Sequence, residues 1–158
     1  MPLEIKGTTV ILRPITREQM PQACAWRNHP DVAHLFYRRN VTPEHMARDV
    51  HTMRQAATGD TLAVTRADSG AFIGTLTYTL SRKQGAATEA TLGILIGPDH
   101  ARGSGLGAQA IEALARWLAR EHAVGKILVE VKPGNQRAVS FYEKTGFSQR
   151  AIIMERDI

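Results

Sequence analysis

One short string concentrates residues that could do chemistry: Arg102-Gly103-Ser104-Gly105-Leu106-Gly107-Ala108. Glycines permit unusual dihedrals and let a ligand approach the backbone closely. The string follows a strand-like run and opens an apolar repeat at helical spacing, formed by Leu106, Ala110, Ile111, Leu114, Trp117 and Leu118. A helix starting here directs unpaired N–H groups and the positive end of its dipole at the loop. With the permanent charge of Arg102 beside it, the loop is a seat for phosphate or pyrophosphate.

Three readings of the loop compete. Gly103-x-Gly105-x-x-Ala108 loosely fits a dinucleotide-binding turn, and Glu130 could serve as its ribose acid. Such a turn should follow its strand almost directly, whereas Gly97 to Arg102 intervenes, and too little chain follows for the remaining units. A nucleotide-triphosphatase loop needs Gly-Lys-Ser/Thr, which is absent. A flexible turn capping a helix is the plain alternative, and a lone glycine pattern does not exclude it.

The elements that must position this loop can be read from periodicity and punctuation. Val10-Ile11-Leu12 predicts a first strand, stopped near Pro14. Met20 to Trp26 predicts a helix with Pro21 at its start. Thr42-Pro43-Glu44 is a cap, a first-turn proline and an acid at the positive end of a second helix, which runs to about Ala57. Thr61 to Arg66 and Ala71 to Leu80 predict strands joined by a hairpin at Asp68-Ser69-Gly70. Thr88 to Ile96 predicts another strand, followed by the loop and its amphipathic helix of roughly four to five turns. Lys126 to Val131 predicts a strand, Asn135 to Lys144 a helix ended by Gly146, and Ala151 to Met154 a last strand. The resulting order is β, α, α, β, β, β, α, β, α, β. The strand-helix-strand units of the second half imply parallel pairing, the central hairpin antiparallel pairing, and the whole a mixed α/β sheet.

The chain has 158 residues, which suits one domain over residues 1–158. Hydrophobic residues make up 43% and charged residues 22%, as in an ordinary globular protein. No apolar run reaches the ~18 residues that span a bilayer, and Met1-Pro2-Leu3-Glu4-Ile5-Lys6 lacks the pattern of a secretory signal. The single cysteine, Cys24, cannot form an internal disulfide, so a cytoplasmic location is expected. A net charge of +5 and a pI near 9.8 favour an anionic partner. No basic run is longer than Arg38-Arg39, and zinc-finger spacing and basic heptads are absent, so nucleic acid is not the expected partner. His29 with His34 and His45 with His51 lack metal-site spacing, and no metal is expected.

A second string converts the anion seat into something more specific. Arg102 to Gly107 resembles the R-x-x-G-x-G/A motif of the GNAT N-acetyltransferases. Asn135-Gln136-Arg137-Ala138-Val139-Ser140-Phe141-Tyr142-Glu143-Lys144-Thr145-Gly146-Phe147 resembles that family's N-x-x-A-x-x-F-Y-x-K-x-G-F motif. Both occur in the expected order, and Leu12-Arg13-Pro14 resembles the start of the branch with ribosomal-protein N-terminal acetyltransferases. The resemblance implies a mixed, mainly antiparallel central sheet flanked by helices, the GNAT-like acyl-CoA N-acyltransferase fold. It implies acetyl-CoA as acetyl donor and a primary amine of a small molecule or protein N-terminus as acceptor. A non-catalytic acyl-CoA-binding or regulatory module of the same fold is the alternative.

By the same resemblance, Gly103, Ser104, Gly105, Leu106, Gly107 and Ala108 would grip the pyrophosphate, beside Arg102, through backbone N–H groups. Ile94-Leu95-Ile96 would pair with the pantetheine arm, and Asn135 and Ala138 would complete the cofactor site. The oxyanion donor would be a backbone N–H near Leu95 or Ile96, and Tyr142 the acid. An ordinary tyrosine pKa near 10 lies above that of a thiol near 8.5, so Tyr142 could protonate a leaving thiolate. Related enzymes often carry a glutamate as base where this chain has Thr91. Glu89, two residues earlier on the same strand face, is the candidate base, Glu130 the second, and water a third route. His100 reads as a surface residue. Trp26-Arg27-Asn28-His29-Pro30 resembles the ribosomal-protein, aminoglycoside and amino-sugar branch, including enzymes of pseudaminic acid synthesis. There His34, Tyr37, Arg38 and Arg39 would border the acceptor, the arginines meeting substrate phosphates, unless Trp26 is simply core and the arginines solvated. Only Ser148 to Ile158 follow the second motif, where the family has two strands. The acceptor pocket is then either wider or completed by a second subunit in a homodimer.

Overall fold

A computed structural model describes residues 2–36, 38, 40–98 and 101–158. Tyr37, Arg39 and His100 lie outside the described residues. The chain begins with β1 (Ile5–Lys6) and β2 (Val10–Pro14), a 3-10 turn over Arg17–Gln19, and the helices α1 (Met20–Asn28), α2 (Pro30–Ala33) and α3 (Pro43–Ala56). There follow β3 (Gly59–Arg66), β4 (Phe72–Ser81), β5 (Thr88–Ile96), α4 (Leu106–His122), β6 (Val124–Val129) and α5 (Gln136–Lys144).

Local signals explain most boundaries. The Thr42 side chain accepts from the His45 N–H at the start of α3, and Ala57 closes that helix in the left-handed region at φ 53°. Asn135 caps α5 by accepting from the Ala138 N–H at 3.1 Å. The hairpin at Asp68-Ser69-Gly70 forms as its composition requires, with Gly70 at φ 72°.

The six strands lie side by side in the order β1-β2-β3-β4-β5-β6. Every neighbouring pair is antiparallel except β5 and β6, which are parallel across the α4 crossover. The β5–β6 ladder ends at Leu92 with Val129, whereas β5 continues to Ile96 paired with β4. From Gly93 to Ile96 the edge of β5 that faces β6 therefore carries no strand among the described residues.

Alternation along the strands gives the sheet two covered faces. On one, Leu106, Ala110, Ile111, Leu114 and Leu118 of α4 pack with Leu62, Val64, Leu76, Ala90 and Leu92. Leu62, Leu76, Leu114 and Leu118 are fully buried, each contributing up to about 1.5–3 kcal/mol of apolar burial. Trp117 belongs to the same helical stripe but stays partly exposed, edge-on to Tyr78 at 5.8 Å. On the other face, α1 and α3 bring Met20, Ala23 and Val50 to Ala63 of β3.

One expected strand is not formed. Residues 147–158 adopt no regular structure, and Ile152, Ile153 and Met154 are 80–89% exposed. Strand propensity at Ala151 to Met154 is insufficient by itself, because a strand is stabilised by cross-strand partners that this segment lacks. Arg150, just before it, reaches Glu89 at 3.8 Å.

For the monomer, truncation after Arg150 should shift the thermal midpoint by no more than about 2 °C, because exposed residues contribute within about 0.5 kcal/mol. A drop of many degrees in a thermal melt would show that the segment is covered in solution.

Candidate functional site

The glycine loop sits where β5 ends and α4 begins. Gly103 and Gly105 adopt φ of 73° and 81°, a region costly for other residues. Gly105 is the N-cap of α4, no side chain caps that end, and its first turn holds no acid. The N–H groups of the first turn and the positive dipole end are thus left for an external anion. Ser104 donates its hydroxyl to the Ala101 carbonyl, closing the loop on itself.

Arg102 takes a different part from a simple phosphate contact. Its Nε donates to the Ile96 carbonyl at 2.9 Å and its Nη2 to the Gly97 carbonyl at 3.0 Å. The guanidinium clamps the loop to the end of β5. These bonds also orient the strand. Gly97 N–H donates to Ile73 of β4, so the alternating backbone groups of Ile96 and Ile94 point to the free edge. Of the two donors named from the sequence, Ile96 presents its N–H to the gap and Leu95 faces β4.

The second motif closes the other side of the gap. A Cβ on Gly107 would stand 3.3 Å from Cζ of Phe141 and 3.6 Å from Cδ1 of Ile94, so α4, β5 and α5 meet there. Tyr142 packs edge-on to Phe141 at 5.2 Å and to Phe147 at 5.4 Å. Burial raises its pKa above the ordinary tyrosine value, which keeps the phenol protonated. Ala138 lies in the first turn of α5, where its N–H is used by Asn135. The structure thus brings the loop, Ile94, Ile96, Phe141 and the second motif to one place.

The two glutamates are placed very differently. Glu89 pairs in register with Lys126, four residues before Gly93, or about 13 Å along the strand. Its carboxylate faces Arg150. Glu130 directly follows Val129, the last residue paired with β5, at the point where the strands part. It is exposed there, and strand alternation puts it on the face of Leu128, Thr91 and Gly93.

On that same face lies a cavity of about 490 Å³ between the sheet and α1 and α3. Leu95, Thr61, Thr75 and Thr77 line its sheet side, and Arg27, Arg38 and Asp49 supply its charges. Arg38 is bound to Asp49 at 2.6 Å. Arg27 is a site residue that the sequence reading did not single out. A signal existed, since Thr75-x-Thr77 recurs at the strand period and so marks a polar face opposite the apolar one. Its neighbours have structural duties. The Trp26 ring covers Gly97 and lies 4.9 Å from Phe72, and Asn28 makes paired bonds with the Val41 backbone at 2.7 and 2.9 Å. Across the gap, Lys132 donates to the His34 carbonyl at 3.0 Å, joining the α2 side to the approach to α5. No group of three or more His, Cys, Asp or Glu among the described residues could hold a metal ion. No helix is long and apolar enough to cross a membrane.

Comparison with known proteins is consistent with this geometry. The sequence profile of the acetyltransferase (GNAT) domain matches residues 9–148. No curated protein sequence matches the chain. Among solved structures, a GNAT-family acetyltransferase from Bacillus anthracis superposes with a TM-score of 0.74 at 16% identity, covering 94% of this chain and 86% of that one. The ribosomal-protein-S5-alanine acetyltransferase from Vibrio fischeri gives 0.73 at 16% identity, covering 92% and 83%. The aminoglycoside acetyltransferase AAC(6')-Ib, solved with coenzyme A, gives 0.75 at 21% identity, covering 92% and 87%. At these identities the likeness concerns the fold.

Gly97→Ala should cost about 1–3 kcal/mol, because its Cβ would enter the Trp26 ring. Chemical denaturation measures this; a loss below 0.5 kcal/mol on the same scale would mean that Trp26 does not cover Gly97 in solution.

Proposed function

The chain belongs to the GNAT acetyltransferase family, the acetyl-CoA-dependent N-acetyltransferases, and we propose that it acetylates a primary amine by direct attack on the thioester of acetyl-CoA. The observation that carries this reading is the free edge of β5 from Gly93 to Ile96, lying between the uncompensated N-terminus of α4 and the aromatic wall of α5. It offers an extended acyl arm backbone groups at one end and an anion seat at the other. Gly103 to Ala108 would hold the pyrophosphate. Ile94 and Ile96 would pair with the pantetheine arm. Bound there, acetyl-CoA supplies an activated acyl carbon.

The chain's own groups divide the proton work. The amine, held in the cavity above Leu95, must lose a proton before it attacks. Glu130, at the parting of β5 and β6 and open to solvent, accepts it directly or through water. Glu89 is displaced along the strand and paired with Arg150, which favours a structural duty. As the C–N bond forms and the C–S bond breaks, the Ile96 N–H opposes the charge on the acyl oxygen, and Tyr142 gives its proton to the departing sulfur. Its raised pKa means that this proton is retained through neutral and mildly alkaline pH. The acceptor is a small amine or a protein N-terminus.

A cytoplasmic location goes with this reading, supported by the single, buried, unpaired Cys24. So does a homodimer, supported by the exposed Ile152, Ile153 and Met154; a monomeric mass by light scattering would remove it.

Acetyl-CoA should raise the melting temperature, and an amine panel should release free thiol. Absence of any stabilisation by acetyl-CoA would sink the reading, and stabilisation without turnover on any amine would favour the non-catalytic alternative. Tyr142→Phe should lower kcat by about 10²-fold or more while leaving the KM for acetyl-CoA nearly unchanged. Glu130→Gln should lower kcat at neutral pH and recover as pH rises, because a larger share of the amine is then already neutral. Glu89→Gln should leave kcat within about twofold, and the reverse ranking of these two variants would reassign the base.

A further inference from the structure

The cavity beside Leu95 holds a cation with one unanswered bond. Arg27 is half-buried, and its Nη1 is buried without a hydrogen-bond partner among the described residues. Its other contacts are weak or apolar: Nη2 reaches the Arg38 carbonyl at 3.5 Å, and the guanidinium carbon lies 3.5 Å above the Phe36 ring. A buried donor without an acceptor is costly, more so when charged. Among the described residues, the only acid lining the cavity, Asp49, is bound to Arg38 at 2.6 Å. Of the three charged residues on the wall among those described, one positive charge is therefore unbalanced, and it belongs to Arg27. Desolvation, and then the charge of Arg38, lowers the pKa of this guanidinium, the mark of a cation short of a counter-charge.

We infer that Arg27 is the anchor of an anion subsite in the acceptor cavity, so that the acceptor amine carries a carboxylate or phosphate as well as its amino group. A guanidinium fixed over an aromatic ring presents its remaining N–H groups in a set direction, which suits the oxygens of either anion. The threonine-lined sheet side offers neutral hydrogen-bond partners to the rest of the molecule. Polycationic acceptors are disfavoured, because Arg27 and Arg38 would repel them at close range. The inference rests on the acetyltransferase reading for what the anion is attached to, but the subsite can be tested without turnover.

The binding test uses the full chain saturated with CoA, so that the seat at α4 is filled. Inorganic phosphate and acetate are titrated separately while the fluorescence of Trp26, adjacent to Arg27, is followed. Saturable binding of at least one anion, weakened about tenfold or more in Arg27→Gln and partly restored in Arg27→Lys, is the expected result. No saturable binding of either anion, or equal binding in Arg27→Gln, overturns the inference. Circular dichroism melts of each variant establish that it is folded, and Arg38→Gln, which frees Asp49 to compensate Arg27, should weaken anion binding as an independent second variant.

The turnover arm compares O-phosphoethanolamine with ethanolamine and β-alanine with β-alaninamide, which separates phosphate from carboxylate. A kcat/KM at least tenfold higher for one anionic partner, lost in Arg27→Gln through KM, is expected. Equal use of both members of each pair would overturn the inference while leaving the transferase reading intact. Binding of the anions with no thiol release from any amine would uphold the subsite and count against catalysis.

Discussion

The parting of β5 from β6 after Leu92 is the constraint on which the rest of the site depends. In a continuous sheet every backbone group of β5 would be satisfied by a neighbour, and nothing could be added between the strands. Here β4 holds one edge of β5 along its length, while no strand among the described residues pairs with the other edge over its last four residues. Arg102 secures the end of that strand by bonding the Ile96 and Gly97 carbonyls, and so fixes where the loop leaves the sheet. The helix that follows then has a determined origin, and its positive end lies beside the free edge. Phe141 packing near Gly107 closes the remaining side, where a Cβ at position 107 would crowd its ring at 3.3 Å.

The acceptor side is organised by three consecutive residues of α1. Trp26 fills the space above Gly97 and thereby ties α1 to the same strand end that Arg102 clamps. Asn28 holds the backbone of Val41 on the way to α3. Between them Arg27 is carried into the cavity wall, half-removed from water. Because its two neighbours are pinned, the guanidinium cannot easily withdraw to solvent. The glycine loop and the cavity thus share one structural element, the C-terminal end of β5, where Arg102 bonds the Ile96 carbonyl and Leu95 lines the cavity.

Strand pairing, which no short window of sequence displays, sets where two of the expected features lie. Glu89 has the chemistry of a base and the right face of β5, but pairing with Lys126 puts it far from the gap, and Arg150 faces its carboxylate. Glu130 follows the last residue of β6 paired with β5, a position that only the register shows. The apolar run Ala151 to Met154 has the composition of a strand but pairs with none among the described residues, so it stays irregular and exposed.

Much was determined by the sequence alone. The cap and proline at Thr42-Pro43, the hairpin at Asp68-Ser69-Gly70 and the apolar stripe of α4 follow from rules acting over a few residues. The bounds of β5, and the glycine loop that opens α4, were legible for the same reason. The paired motifs extended that legibility to the family and the fold. Tertiary structure decided what joins distant segments: the parting of β5 and β6, the turn of Arg102 toward carbonyls, the separate placements of Glu89 and Glu130 along the sheet, and the enclosure of Arg27. Register and desolvation arise between segments that the chain order separates, so no local pattern encodes them. Arg27 looks like any solvated arginine until α1, α3 and the sheet enclose it.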